Sequence, residues 1–136
     1  MKKILLTFTI FCFTFSFAQK GQNYLEISYS SMCCGTLSPD PVINYINQFQ
    51  KKNKIKPIEV LIQSGLGREG EFNLYISTDN FSKTKKSAFI KGLQKVILTQ
   101  NSKRNPSKDG TVNFEETAPV TKQDLANTRN LTIYKK

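Results

Sequence analysis

Between Tyr24 and Glu116 the apolar residues switch repeatedly between alternate spacing and helical spacing, and the order of those switches restricts the available folds more than any other feature. Alternation places residues on one face of a strand, and a period of about 3.6 places them on one stripe of a helix. Tyr24 to Ser30 alternates, with Leu25, Ile27 and Tyr29 together, and reads as a strand. Asp40 is a good N-cap and Pro41 suits the first helical position. Val42, Ile43, Tyr45, Ile46 and Phe49 then form an apolar stripe, and Lys51, Lys52 and Lys54 fall where cations suit the helix dipole. Strands are expected over 58–63 and 71–76, joined by the glycine-containing segment from Gly65 to Gly70. A second helix is expected from Asn80 or Ser82 to about Thr99, buried through Phe89, Ile90, Leu93, Val96 and Ile97. Asn101 to Asp109 reads as a polar loop and 111–116 as a fourth strand. Thr121 and Asp124 resemble a capping box for a short helix, and 131–134 reads as a last strand.

The order β-α-β-β-α-β points to the α+β class. The expected architecture is a ferredoxin-like sandwich, an antiparallel sheet covered by two helices on one face, with a short C-terminal helix-strand extension. The other face, with Tyr24, Glu26, Glu59, Leu61, Asn73 and Tyr75, is expected to be more polar and open to a ligand.

Residues 1–18 stand apart from this pattern. Met1-Lys2-Lys3 is a positive start, Ile4 to Phe17 is apolar apart from Thr and Ser, and Ser16-Phe17-Ala18 places small residues before a cut after Ala18. This is the pattern of a cleaved secretory signal peptide, too short to span a bilayer, which takes roughly 20 apolar residues. The expectation is an exported protein, periplasmic or secreted, whose residues 19–136 form a single domain without a transmembrane segment. A domain of that size buries enough surface for one core without obligatory staples.

The chain has 20 Lys and Arg against 10 Asp and Glu, a formal net charge of +10, to which Lys2 and Lys3 of the leader contribute. Such charge attracts anionic partners. Only Arg68, Arg104 and Arg129 are arginines, however, and arginine is the residue suited to bidentate phosphate and base recognition. Specific nucleic-acid binding is therefore not expected. An anionic cell-surface polymer remains a candidate partner through Lys83, Lys85, Lys86, Lys91 and Lys95, although Lys91 and Lys95 also suit a plain solvated helix face.

The chain contains no His. That removes Ser-His-Asp and Cys-His catalysis, His metal ligands and the commonest general base near neutral pH. Gly65-Leu66-Gly67-Arg68-Glu69-Gly70 matches G-x-G-x-x-G literally, but a strand pattern follows it where a dinucleotide site needs a helix. A hairpin loop with positive φ accounts for these glycines. Glu115 and Glu116 are strand neighbours pointing to opposite faces, and Glu69 and Glu71 flank an exposed turn, so neither forms an acid/base couple.

Met32-Cys33-Cys34-Gly35 is the informative site. Beyond the leader these are the only cysteines, and export places them where disulfides persist. Adjacent Cα atoms lie about 3.8 Å apart, below the roughly 4.4–6.8 Å of ordinary disulfides, so a bond between them is strained and more easily reduced. A vicinal disulfide, two free thiols and a bond to another chain all remain open. Proximity to a helix N-terminus favours thiolate, and thiolates beside a Met thioether suit a soft metal such as copper. In this respect the region from Tyr24 to Glu116 is similar to heavy-metal-associated domains, which share the βαββαβ order and carry a Met and two Cys in the first loop. Their cysteines are separated by two residues, which lets both sulfurs reach one metal, whereas Cys33 and Cys34 are adjacent.

These observations favour a small exported, non-enzymatic domain that binds a protein or small ligand through its first loop (Met32, Cys33, Cys34) or its open sheet face. The second expectation is a thiol-based redox or soft-metal protein using Cys33 and Cys34. No other cofactor is expected.

Overall fold

The computed structural model describes residues 23–117 and 119–135. The expected signal peptide lies outside the described residues. In chain order the elements are β1 (Asn23–Tyr29), α1 (Asp40–Asn53), β2 (Val60–Gln63), β3 (Phe72–Ser77), α2 (Lys83–Lys103), β4 (Val112–Phe114), β5 (Val120–Thr121), α3 (Lys122–Leu125) and β6 (Leu131–Ile133). The α+β reading holds: the strands form an antiparallel six-stranded sheet in the order β4-β1-β3-β2-β6, with β5 also paired to β1. The sheet is larger than the expected four-stranded core. β6 extends it beside β2, and β5, too short to show any periodicity in sequence, pairs with the first two residues of β1.

The alternation in β1 and β3 divides the apolar residues between two cores. Leu25, Ile27, Tyr29, Leu74 and Ile76 are buried against the stripes of α1 and α2, where Val42, Ile43, Ile46, Phe89, Ile90, Leu93 and Ile97 are also buried. Tyr45, Phe49, Phe81 and Phe89 make an aromatic cluster with ring centroids 5.0 to 6.0 Å apart. Each fully buried apolar side chain contributes roughly 1.5–3 kcal/mol, opposed by the entropy of ordering the chain.

Some local signals fall where expected. Ser82 caps α2, its Oγ accepting from the Lys85 N–H at 3.3 Å. The capping box is present: Thr121 Oγ1 accepts from the Asp124 N–H, and the Asp124 carboxylate accepts from the Thr121 N–H at 2.8 Å. Gly65 and Gly70 take positive φ (72° and 83°), as the hairpin reading of the loop requires. Others shift. Asp40 is the first residue of α1 rather than its N-cap; Pro39 holds the cap position without a side-chain bond, and Ser38 Oγ accepts from the Asp40 N–H at 3.1 Å. The second helix runs past Thr99 to Lys103, because Asn101 turns back to bond Val112 through both its amide atoms and so docks the last turn on β4.

The face away from α1 and α2 is less open than its sequence suggested. Tyr24 and Tyr75 are buried there with Leu125 of α3, flanked by Leu61, Val120 and Leu131. The polar groups beside them bond mostly to one another. The Tyr24 hydroxyl donates to Glu59 at 2.6 Å, the Tyr75 hydroxyl to Gln63 at 2.8 Å and the Asn73 amide to Glu26 at 3.2 Å. The C-terminal extension thus supplies a second, smaller core on the face expected to bind. Among the described residues no helix is long and apolar enough to cross a membrane.

Candidate functional site

The loop between β1 and α1 carries Met32, Cys33 and Cys34, all exposed; Met32 is 63% exposed. Its base is fixed from several directions. The Ser30 N–H donates to the Thr111 carbonyl at 3.0 Å, and the Thr111 N–H donates to Ser30 Oγ at 3.0 Å. Ser31 and Thr36 form an isolated antiparallel bridge. Ser31 Oγ also donates to the Gly35 carbonyl (3.0 Å) and accepts from its N–H (3.2 Å), so one side chain closes the loop on itself. Gly35 takes a φ of 112°, which residues with a Cβ rarely adopt. Gly110 lies so close beneath Ser30 and Ser31 that a Cβ there would overlap the Ser30 carbonyl. An apolar, sulfur-rich tip therefore stands on a firmly held base.

The two sulfurs are bonded to each other, with Cα atoms 3.8 Å apart. Of the three outcomes open in the sequence, the structure takes the vicinal disulfide. The two sulfurs have different surroundings. Cys33 Sγ lies 3.6 Å from the Lys108 carbonyl oxygen and 3.9 Å from that of Ser107. Those carbonyls belong to a tight turn. The Asn105 N–H donates to the Asp109 carboxylate at 2.6 Å, the Ser107 N–H to Asn105 Oδ1 at 3.0 Å and the Asp109 N–H to the Asn105 carbonyl at 2.8 Å. Arg104 braces the same turn by donating to the Asp109 carbonyl at 3.3 Å. Among the described residues Cys34 Sγ has no hydrogen-bond partner.

These surroundings do not suit a soft metal. In the disulfide neither sulfur offers a thiolate, the form that binds a soft metal. The sequence placed the pair near a helix N-terminus; it is the carbonyl ends of a turn some 74 residues away that reach Cys33. Among the described residues no group of three or more Cys, Asp or Glu side chains is arranged to hold a metal ion.

The five lysines have different settings. Lys85 Nζ donates to the Asn53 carbonyl at the end of α1 at 3.5 Å, serving as a tie between helices. Lys86 is half-buried, and Lys83 is exposed at the start of α2. Lys91 and Lys95 are exposed and four residues apart, as expected. Lys95 also lines a groove of about 380 Å³ between α1 and α2, with Tyr45, Gln48, Val96, Gln100 and Lys103. Lys103 was missed in the sequence because the second helix was ended at Thr99.

A further recess of about 420 Å³ lies between β1 and the β4–β5 edge, lined by Glu26, Ser28, Asn113, Phe114, Glu115 and Val120. Two hydrogen bonds from Thr117 hold the Glu115 carboxyl below its ordinary pKa. That keeps it ionised, suited to solvation and not to general acid catalysis. No family model matches the chain, and no characterised protein or solved structure matches it either.

Proposed function

We propose that the protein is an exported, non-enzymatic binding domain that engages a protein or small ligand through its first loop. The carrying observation is Met32, 63% exposed beside two exposed bonded sulfurs on a loop pinned by Ser30, Ser31 and Gly110. A loop backbone already held in one conformation spares the cost of ordering it on binding, which leaves only the rotamers of Met32 to be fixed. The lack of His supports a role other than catalysis, and the leader pattern supports export to the periplasm or medium.

The scaffold reads as a ferredoxin-like sandwich with additions. In support, β1 and β2 both pair antiparallel with β3, so they run parallel to each other with β3 between them and α1 as the crossover. β3 and β4 both pair antiparallel with β1, with α2 as the crossover. Two interleaved crossovers of this kind are the split βαβ arrangement.

The test is a photo-crosslinking amino acid placed at position 32, with one at Leu98 as control, since Leu98 is 69% exposed on α2. A discrete adduct from position 32, competed by excess unmodified protein and missing from position 98, is expected. Equal labelling from both positions, or none from position 32, refutes the proposal. Intact mass of the native material tests the leader: cleavage after Ala18 is expected.

A second reading, thiol-based redox function, is favoured by one specific observation. Cys33 and Cys34 are bonded to each other and both exposed, so an external thiol can reach the bond. A two-dalton gain in intact mass on reduction under native conditions is expected; a pair that resists reductant until the protein unfolds contradicts it.

A further inference from the structure

Resting on the thiol reading, we propose that Cys33 and Cys34 have different roles in thiol–disulfide exchange: Cys34 forms the mixed disulfide with an external thiol or disulfide, and Cys33 resolves it. The geometry that assigns the roles is the turn from Asn105 to Asp109, whose carbonyls face Cys33 Sγ at 3.6 and 3.9 Å while Cys34 Sγ faces no hydrogen-bonding group among the described residues. Both cysteines are exposed, but the turn stands against one side of Cys33 Sγ, and no such group stands beside Cys34 Sγ among the described residues. That turn is braced by Arg104, Asn105 and Asp109 and does not give way cheaply. Access decides which sulfur is attacked, and here access favours Cys34.

The cycle balances without a metal or bound cofactor. In the reducing direction an external thiolate attacks Cys34 Sγ, the Cys33–Cys34 bond breaks, and a Cys34–S–S–R bond forms. The electron pair stays on Cys33, which takes a proton from water, and the new S–H donates a hydrogen bond to the Lys108 or Ser107 carbonyl. A second external thiolate then attacks the mixed disulfide. It releases Cys34 as thiolate and leaves the reductant as R–S–S–R: the protein disulfide is reduced by two electrons and two thiols are oxidised. In the oxidising direction Cys34 thiolate attacks R–S–S–R and expels one RS⁻. Cys33 then gives up its proton to the medium and attacks Cys34 Sγ, expelling the second RS⁻. The Cys33 thiol is hydrogen-bonded to the turn carbonyls until that last step, so the mixed disulfide has a finite lifetime.

The probe is glutathione disulfide, added to reduced full-length Cys33→Ser and Cys34→Ser proteins, with each cysteine read separately by peptide mass spectrometry so that Cys12 does not interfere. Cys34 in the Cys33→Ser protein is expected to form the mixed disulfide about tenfold faster than Cys33 in the Cys34→Ser protein, since the turn carbonyls stand against Cys33 and not against Cys34. Loosening the turn with Asp109→Ala should raise the Cys33 rate in the Cys34→Ser background and leave the Cys34 rate in the Cys33→Ser background unchanged, a pattern that a general loss of stability would not give. Equal rates, or a faster Cys33, overturn the assignment of roles. The thiol reading itself is tested apart from this, on wild-type protein: if its disulfide is not reduced by glutathione under native conditions, that reading fails whatever the two variants show.

Discussion

The Tyr29 phenol stacks on Phe72 with ring centroids 4.5 Å apart, and its hydroxyl is buried without a hydrogen-bond partner among the described residues. Alternation in the first strand identified Tyr29 as inward-facing, but nothing in the sequence indicated an unsatisfied hydroxyl. A buried hydroxyl without a partner costs the desolvation of its dipole, and removing it leaves the ring packing intact. Tyr29→Phe should therefore raise stability by about 1 kcal/mol, read as a higher urea midpoint with unchanged slope. A second residue-scale constraint lies at Gly92, where a Cβ would overlap the Tyr45 ring and hydroxyl, while that hydroxyl donates to the Phe89 carbonyl at 2.9 Å. Alanine ordinarily gains about 1 kcal/mol over glycine inside a helix. Gly92→Ala is expected to lose that gain in the wild type and to show it in a Tyr45→Ala background. Urea unfolding of the four proteins measures the coupling. An equal effect of Gly92→Ala in both backgrounds would mean that Tyr45 is not what requires the glycine.

At the scale of elements, the long periodic segments were legible and the long-range contacts were not. The stripes Val42, Ile43, Ile46 and Phe89, Ile90, Leu93, Ile97 lie buried where their spacing put them, because a helix with one apolar face has few alternatives to packing that face on a sheet. β5 was invisible: two residues carry no period, and its existence depends on the β1 edge left free beyond β4. The candidate site was legible in part. Its residues could be read from the unusual pair Cys33-Cys34, but the turn facing Cys33 lies 74 residues further along and no local signal links them. The lysines of α2 were legible as a run, but the tie that Lys85 makes to the Asn53 carbonyl was not. Lys83, Lys85 and Lys86 fall in the first turn, which holds no acidic residue, so they oppose the helix dipole. Lys83→Glu is expected to stabilise the protein by roughly 0.3–1 kcal/mol at low salt, with the gain shrinking as salt is added. Calorimetry at two ionic strengths checks both parts, and a loss of stability would show that Lys83 is engaged elsewhere in the fold.

For the whole molecule, two tyrosines on opposite faces of the sheet make stability depend on alkali. Burial is the main cause that raises the pKa of Tyr24, reinforced by its hydrogen bond to Glu59, and burial likewise raises that of Tyr29. The raised folded-state value fixes the sign. Below about pH 10, the ordinary tyrosine pKa, both residues are protonated whether the chain is folded or not, and their contribution is fully present. As pH rises above that value the unfolded chain releases the protons and the folded chain retains them, so stability falls. Substitution isolates the phenols, since Tyr24→Phe and Tyr29→Phe remove them and leave the other titrating groups in place. The gap in urea midpoint between the wild type and the double variant should therefore be constant from pH 7 to 9 and widen in favour of the variant above about pH 10. Because Tyr24 lies under Leu125 and Tyr29 under the two long helices, the single variants should each carry part of the widening. A gap that stays constant through the alkaline range would mean that neither phenol is shielded from water as the two cores require.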